Sequence, residues 1–157
     1  MHEIFGTAEE LRPQIAGRPL RQALDYWRAL PAKNGMPSRV SIDPMAIPKL
    51  LPATFIVRVL KDGGFVYQLA GTMIEEKYQL GTLRDKTPEE VMGAAASKVI
   101  EPYSRIRDTG LLFYREASME WVHHSRKYSR YRVLLMPLSD DGVAVDMIFG
   151  VQEFLAA

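Results

Sequence analysis

Residues 54–81 read TFIVRVLKDGGFVYQLAGTMIEEKYQLG, and this stretch decides the fold. Its first part, Thr54–Leu60, is rich in β-branched and apolar residues, which favours a strand. Residues 62–64, Asp-Gly-Gly, tolerate the positive φ angles that a hairpin turn requires. The next part, Phe65–Ala70, alternates between two sets of side chains as a second strand does. The stretch therefore predicts an antiparallel hairpin.

A helix start follows the hairpin. Gly71 should end the second strand, and Thr72 is placed to cap a helix. Glu75, three residues later, would complete a capping box with Thr72. The stretch thus predicts strand, turn, strand and helix in that order, and it contains no pattern of catalytic residues.

The composition is that of a folded domain without a dominant charge. The chain has 157 residues, of which 47% are hydrophobic and 25% are charged, and its net charge is +1. A chain of this size and composition can bury a hydrophobic core and is expected to form one domain. The near-zero net charge gives no general attraction to nucleic acid or to anionic membranes.

The absence of cysteine excludes several classes of site. Disulfides, thiol nucleophiles, cysteine-ligated metals and the cysteinyl-flavin adduct of flavin photosensors all need a thiol. No apolar run approaches the roughly 18 residues of a membrane span. Residues 1–11 also lack the basic start and apolar centre of a secretory signal. We therefore expect a cytoplasmic protein that does not interact with a membrane.

An amphipathic helix is predicted to begin at Pro19, after an arm over residues 1–18 that we expect to be flexible. Leu20, Leu24 and Trp27 fall on one face of this helix. Two interpretations stay open. The face packs on its own domain, or it pairs with a second copy in a homodimer, for which tryptophan is a common anchor. In the second case, Trp27→Ala should weaken self-association.

Residues 31–53 contain five prolines and cannot form one regular element. Within them, Asp43 is placed as an N-cap with Pro44 at the first helical position. We interpret the segment as a stiff crossover from the helix to the first strand. Since it is not a domain boundary, residues 19–157 are predicted to form a single domain.

The second half of the chain begins with helix signals. Residues 87–90, Thr-Pro-Glu-Glu, combine a cap, a proline at the first helical position and a glutamate at the capping-box position. Gly93 and Pro102 should bend or divide the helix that follows, and Gly110 should end it.

Three further strands are predicted, over residues 111–121, 128–138 and 143–154. Residues 140–142, Asp-Asp-Gly, form the last turn, and Gly150 indicates a bulge or a close backbone approach. A helical block between two groups of strands is typical of an α+β domain. The sequence predicts a five-stranded antiparallel sheet with helices on one face and an N-terminal helix.

No metal site or catalytic constellation is predicted. The histidines are His2, His123 and His124, and neighbouring residues of an extended segment point to opposite faces. No histidine lies in residues 87–110, so this helical region offers no axial ligand for haem. The Glu75-Glu76 and Glu89-Glu90 pairs lie in the first turns of predicted helices, where carboxylates are stabilised without any acid–base role.

One segment, residues 123–132, is locally basic. Arg126, Lys127, Arg130 and Arg132 alternate with tyrosines, a pattern that resembles a small anion or nucleic-acid patch. The alternative is a solvated strand face with ordinary charges, which we favour because the rest of the chain has no basic excess.

A sheet roofed by short helices can enclose a small apolar pocket. The side chains expected to face it come from several elements, and the candidate ligand-binding residues are Tyr67, Tyr78, Tyr103, Tyr131 and Met147. Ordinary core packing is the alternative for each of these residues.

Short motifs spread along residues 20–154 have a characteristic order and spacing. They are Tyr26-Trp27, Pro37-x-Arg39, Asp43-Pro44, Leu51-Pro52, Phe65-x-Tyr67-x-Leu69-x-Gly71-Thr72, Gly81, Met136-Pro137-Leu138 and Val145-Asp146-Met147. Together they resemble a PAS-like family found in bacteria as stand-alone proteins. The resemblance implies a five-stranded antiparallel sheet flanked by helices, a role in sensing or protein–protein signalling, and dimerisation through the N-terminal helix. It implies no defined ligand, so the cofactor stays unknown, with a flavin adduct excluded and haem disfavoured.

The first functional hypothesis is therefore a cytoplasmic sensory or interaction module without catalytic activity. Because we expect no output domain within 157 residues, its signal would pass to a separate partner protein. The second hypothesis is an enzyme on a similar scaffold that uses a tyrosine or an aspartate as acid or base. The third, disfavoured, is a nucleic-acid regulator that uses residues 126–132.

Overall fold

A computed structural model describes residues 2–118 and 128–156. The strands are β1 (His2–Gly6), β2 (Ala32–Lys33), β3 (Met36–Pro37), β4 (Thr54–Val59), β5 (Phe65–Ala70), β6 (Leu112–Ser118), β7 (Tyr128–Leu138) and β8 (Met147–Ala156). The helices are α1 (Ala8–Leu11), α2 (Arg18–Ala29), α3 (Thr72–Tyr78), α4 (Pro88–Met92) and α5 (Ser97–Thr109). Short 3₁₀ turns cover Arg12–Gln14, Arg39–Ser41, Pro44–Ala46, Leu51–Ala53 and Gly93–Ala96.

The main sheet has the strand order β1-β6-β7-β8-β4-β5, and every neighbouring pair is antiparallel. This confirms the predicted α+β class and the antiparallel sheet. The described residues form six strands in this sheet where five were predicted, because β1 pairs with β6 along its whole length. The expectation of a flexible arm over residues 1–18 is corrected by the same observation. Leu11 and Ile15, which follow β1, are buried in the core, a position that the weak local pattern did not predict.

Helices cover both faces of the sheet. On one face, α1 and α2 pack against the sheet in what we call the first core. On the other face, α3, α4 and α5 pack in what we call the second core. The helical block thus lies on one face as predicted, and the N-terminal helix α2 covers the opposite face.

The face of α2 that was a candidate dimer surface lies inside the domain. Leu20 and Leu24 have no exposed surface and Trp27 is 6% exposed. The indole Nε1 of Trp27 donates a hydrogen bond to the carbonyl oxygen of Pro137 at 3.0 Å. The prediction that these three residues form a dimer surface is therefore corrected. They are core residues, because their apolar side chains pack against the sheet and are not accessible to a partner.

The central hairpin forms as predicted, with two differences. Gly63 has the expected positive φ of 90°. The pairing of β4 with β5 shifts register between Ile56 and Val57, and Leu69 as a result lies at the surface, 40% exposed. The predicted capping box at Thr72 is wrong: Gly71 is the N-cap.

Glu75, the second member of that predicted box, has another role. Its Oε2 atom accepts a hydrogen bond from the backbone nitrogen of Leu83 at 3.0 Å. The carboxylate therefore fixes the loop after α3. Sequence spacing alone cannot distinguish these two roles, because both place a backbone donor near the first turn of the helix.

Some of the other local predictions are confirmed and others are wrong. The capping box of Thr87 and Glu90 is present, and so is the cap of Asp43 on the turn that begins at Pro44. Gly93 divides the predicted long helix, whereas Pro102 lies within α5 without ending it. The last strand begins at Met147, later than predicted, because residues 139–146 form a longer turn. The end of the strand predicted over residues 111–121 lies outside the described residues.

Gly150 in β8 makes the close approach that its position predicted. A Cβ atom there would lie 2.5 Å from Cε2 and 2.6 Å from Cε1 of the Phe55 ring, which crosses it from the neighbouring strand. We expect Gly150→Ala to lower the free energy of unfolding by about 2 kcal/mol, because the ring has to move within a packed core. Urea denaturation measures the loss. In a Phe55→Leu background the same substitution should cost less, and equal costs in both backgrounds would contradict the assigned clash.

Candidate functional site

The second core contains a small cavity between the sheet and the helices α3, α4 and α5. Four of the predicted pocket residues line it: Tyr67, Tyr78, Tyr103 and Tyr131. Its volume is about 30 Å³, which is room for one or two water molecules. Haem or flavin needs a pocket of several hundred Å³, so the site as it stands does not fit either group.

Met147 does not belong to this site. Its side chain packs against the first core, on the opposite face of the sheet. Strand residues alternate between the two faces, and Ile148 is the residue that enters the second core. The prediction failed because the period of a strand shows which residues share a face but not which face lies under the helices.

Two of the tyrosines connect the sheet, which forms the floor of the cavity, to the helices α3, α4 and α5, which form its roof. Tyr67 lies on β5 and Tyr103 lies on α5, and their hydroxyl oxygens are 3.1 Å apart, a hydrogen bond. The exposed fractions of the two residues are 3% and 2%. Burial raises the pKa of both phenols, and in Tyr67 the neighbouring Tyr103 raises it further. Both hydroxyls therefore stay protonated near neutral pH.

The protein should lose stability at alkaline pH because of this pair. Unfolded tyrosine has a pKa of about 10, so above that pH the folded state binds more protons and the free energy of unfolding falls as the pH rises. The slope from each tyrosine is at most about 1.4 kcal/mol per pH unit. Urea denaturation from about pH 8 to about pH 11 measures it. The variant Tyr67→Phe/Tyr103→Phe should have a shallower slope, and an unchanged slope would contradict the assignment.

Arg115 is a residue of the cavity that the sequence did not single out. It lies on β6 with 8% of its side chain exposed, and it lines the cavity among mostly apolar side chains. Its Nε atom donates a hydrogen bond to Oε1 of Glu3 at 2.7 Å. Burial raises the pKa of Tyr131 overall, and the nearby positive charge of Arg115 acts to lower it. The sequence signal that could have found Arg115 is its charge at the position between Phe113 and Ala117, on the apolar face of the predicted strand.

A second contact of Arg115 explains how Pro102 is tolerated inside α5. In a regular helix the carbonyl oxygen of Lys98 would accept a hydrogen bond from the backbone nitrogen of residue 102, but proline has no N–H. The Nη1 atom of Arg115 donates to this oxygen instead, at 2.7 Å. Arg115 therefore links the floor strand β6 to the roof helix and, through Glu3, to the edge strand β1.

The predicted basic patch does not form a free cationic surface at Arg130 and Arg132, its two members within the described residues. Arg130 and Arg132 both pair with Glu116, at 3.3 Å each, and Arg132 also pairs with Glu153 at 2.8 Å. Burial acts to raise the pKa of Glu116, and the hydrogen bonds and charges of the two arginines outweigh it and lower that pKa. The other two members of the patch, Arg126 and Lys127, lie outside the described residues.

Two other kinds of feature, a metal site and a membrane-spanning helix, are absent from the described part of the chain. Residues 2–118 and 128–156 contain no group of three or more metal-ligating side chains. His123 and His124 lie outside these ranges. None of the helices in the same ranges combines the length and apolar character needed to cross a bilayer.

Comparison with known proteins places the chain in a family. No curated protein matches it. The family model for the PAS domain matches residues 15–153, which include α2, the sheet strands β4–β7, most of β8 and the roof helices. The matched part excludes β1 and the first helical turns after it. With most of its length covered by this model, the chain belongs to the PAS domain family.

Proposed function

We propose that the chain is a sensory module that binds a small molecule in the cavity of the second core and passes the signal to a partner protein without catalysing a reaction. The observation that carries this proposal is the cavity itself. It lies between a fixed sheet and short helices, it has an apolar lining, and a few polar groups reach it. An apolar lining with a few polar groups is typical of small-ligand sites, and a ligand larger than one or two water molecules requires the helices over the cavity to move.

The roof is the part that a ligand would move. The helices α3 and α4 have seven and five residues, so neither is stable without its packing against the sheet. The segment between them contains positive φ angles at Gln79, Gly81 and Asp85. A small displacement of this roof enlarges the cavity while the sheet keeps its pairing.

The chemistry of the cavity supports binding over catalysis. The hydroxyls of Tyr67 and Tyr103 are bonded to each other, and their raised pKa values make both poor bases at neutral pH. The charge of Arg115 is balanced by Glu3. The nucleic-acid hypothesis has less support, since Arg130 and Arg132 already pair with carboxylates.

The output of the module is proposed to act in trans, on a signalling protein or through a second copy. The apolar face of α2 is occupied by the first core. A homodimer would therefore have to use another surface. Native mass spectrometry of freshly purified protein reports the subunit number and any small molecule that copurifies.

Binding in the cavity is tested with neutral apolar probes and methyl NMR. Met92 lines the cavity, whereas Met45 is 85% exposed and lies elsewhere. Titration with 1-hexanol should shift the Met92 methyl signal to saturation and leave the Met45 signal unchanged. Val99→Phe, which fills the cavity from α5, should abolish the shift. Equal shifts at both methionines, or none at Met92, would count against a binding cavity.

A further inference from the structure

Glu3 and Arg115 form an asymmetric ion pair. They stand directly opposite each other in the β1–β6 pairing, with a distance of 2.7 Å between Nε and Oε1. The Arg115 side chain is 8% exposed and the Glu3 side chain is 36% exposed. A buried guanidinium requires an anion beside it. The glutamate can instead turn to water at little cost, so Arg115 depends on the pair more than Glu3 does.

Arg115 is also within reach of anything that enters the cavity. It is a cationic side chain in a lining that otherwise consists of aromatic and aliphatic groups with tyrosine hydroxyls and Gln152. A ligand with a carboxylate could give Arg115 the same charge-assisted hydrogen bond that Glu3 now provides. A neutral ligand could not give Arg115 this charged partner, so Glu3 would still have to balance the buried positive charge.

The strand that carries Glu3 is an edge strand and, among the described residues, pairs with one neighbour only. β1 is five residues long and lies at the end of the sheet, with β6 as its neighbour. Besides this pairing it is held by Phe5, whose ring lies 4.5 Å from that of Phe113 between centroids and 4.1 Å from the Arg105 guanidinium. Ile4 of the same strand packs against the first core. It also lies outside residues 15–153, the part that the family model matches. β1 thus supplies, from outside the matched part, the carboxylate that pairs with Arg115 in the cavity wall.

We propose that the cavity takes a small apolar molecule that carries a carboxylate, and that this carboxylate replaces the Glu3 carboxylate on Arg115 and thereby releases β1 from β6. The inference rests on the proposed function, because it assigns a ligand class to the same cavity. Exchange of one carboxylate for another keeps the charge of Arg115 balanced. The bond from Arg115 to the Lys98 carbonyl oxygen, which supports α5, need not break.

The test compares hexanoate with hexanamide, which have the same chain and differ in charge. Binding is followed by calorimetry and by the Met92 methyl signal at constant ionic strength, since salt screens exposed charges. Hexanoate should bind at least about tenfold more tightly than hexanamide, the difference expected for a charged over a neutral hydrogen bond. It should also increase hydrogen exchange at the amides of His2–Gly6. Hexanamide at saturation should not.

Three variants separate the possible outcomes. Glu3→Gln removes the competing charge and should tighten hexanoate binding by at least about threefold, with hexanamide unchanged. Glu9→Gln, at an exposed glutamate of α1, is the matched control and should change neither. Arg115→Met should abolish the preference for hexanoate. If Arg115→Met does not fold, the comparison of Glu3→Gln with Glu9→Gln still decides.

Each contrary result has a separate meaning. Equal binding of hexanamide and hexanoate would overturn the carboxylate assignment and leave the proposed binding cavity intact. Tight hexanoate binding with unchanged exchange in β1, or with no effect of Glu3→Gln, would overturn the displacement of Glu3. If neither probe shifts the Met92 signal, both this inference and the proposed function fail.

Discussion

Replacing Trp27 with alanine should lower the free energy of unfolding by about 3–5 kcal/mol, the usual cost of removing a large aromatic side chain from a core. Trp27 is 6% exposed, and it packs between α2 and the sheet. The variant would also leave the carbonyl oxygen of Pro137 without the indole hydrogen bond, which adds the cost of an unsatisfied buried acceptor. Urea denaturation followed by circular dichroism measures the loss.

One further variant separates the packing of Trp27 from its hydrogen bond, and a second variant serves as a control. Trp27→Phe keeps most of the packed ring and loses the hydrogen bond, so it should cost about 1–3 kcal/mol. Met45→Ala truncates a side chain that is 85% exposed and should change stability little. If Trp27→Ala keeps its stability and instead lowers the mass in sedimentation, the residue belongs to a subunit interface and its assignment to the core is wrong.

Gly71→Ala should destabilise the protein by more than about 3 kcal/mol, because the clash it creates is between backbone atoms. A Cβ atom at Gly71 would overlap the carbonyl oxygen of Leu51 and lie 2.5 Å from that of Pro52. Neither oxygen can turn away as a side chain could. The backbone nitrogen of Gly71 is also fixed, since it donates to the carbonyl oxygen of Thr54 at 2.7 Å. The loss is measured by urea denaturation.

Gly64→Ala is the matched control for this prediction. Neither Gly64 nor Gly71 has a positive φ angle, so conformational strain does not differ between them. At Gly64 the nearest atom to an added Cβ is the carboxylate oxygen of Asp62, at 3.1 Å, on a side chain that can move. Its cost should stay below about 1 kcal/mol. Equal costs at the two positions would show that the approach of residues 51 and 52 to Gly71 does not constrain the fold.

The four tyrosines of the cavity could be predicted because each lies in a strand or helix with a clear period. That period fixed which side chains share the face of the sheet under the helical block. Met147 was wrong because the period of β8 shows which of its residues share a face but not which of the two faces lies under the helical block. Arg115 could not be found this way, because its role depends on Glu3 and on the carbonyl oxygen of Lys98, which lie far from it in the sequence.

The amino-acid sequence by itself determined the order of the main helices and strands from α2 onward, the antiparallel class, the hairpin turn and the caps at Asp43 and Thr87. These features depend on side-chain periodicity and on the backbone preferences of single residues, which act over a few positions. The tertiary structure decided where β1 pairs, which core receives α2, and which charge balances Arg115. Such features depend on contacts between distant segments. Their free energy comes from burying apolar surface and from pairing charges inside it, and no local pattern in the chain records which segment will provide the partner.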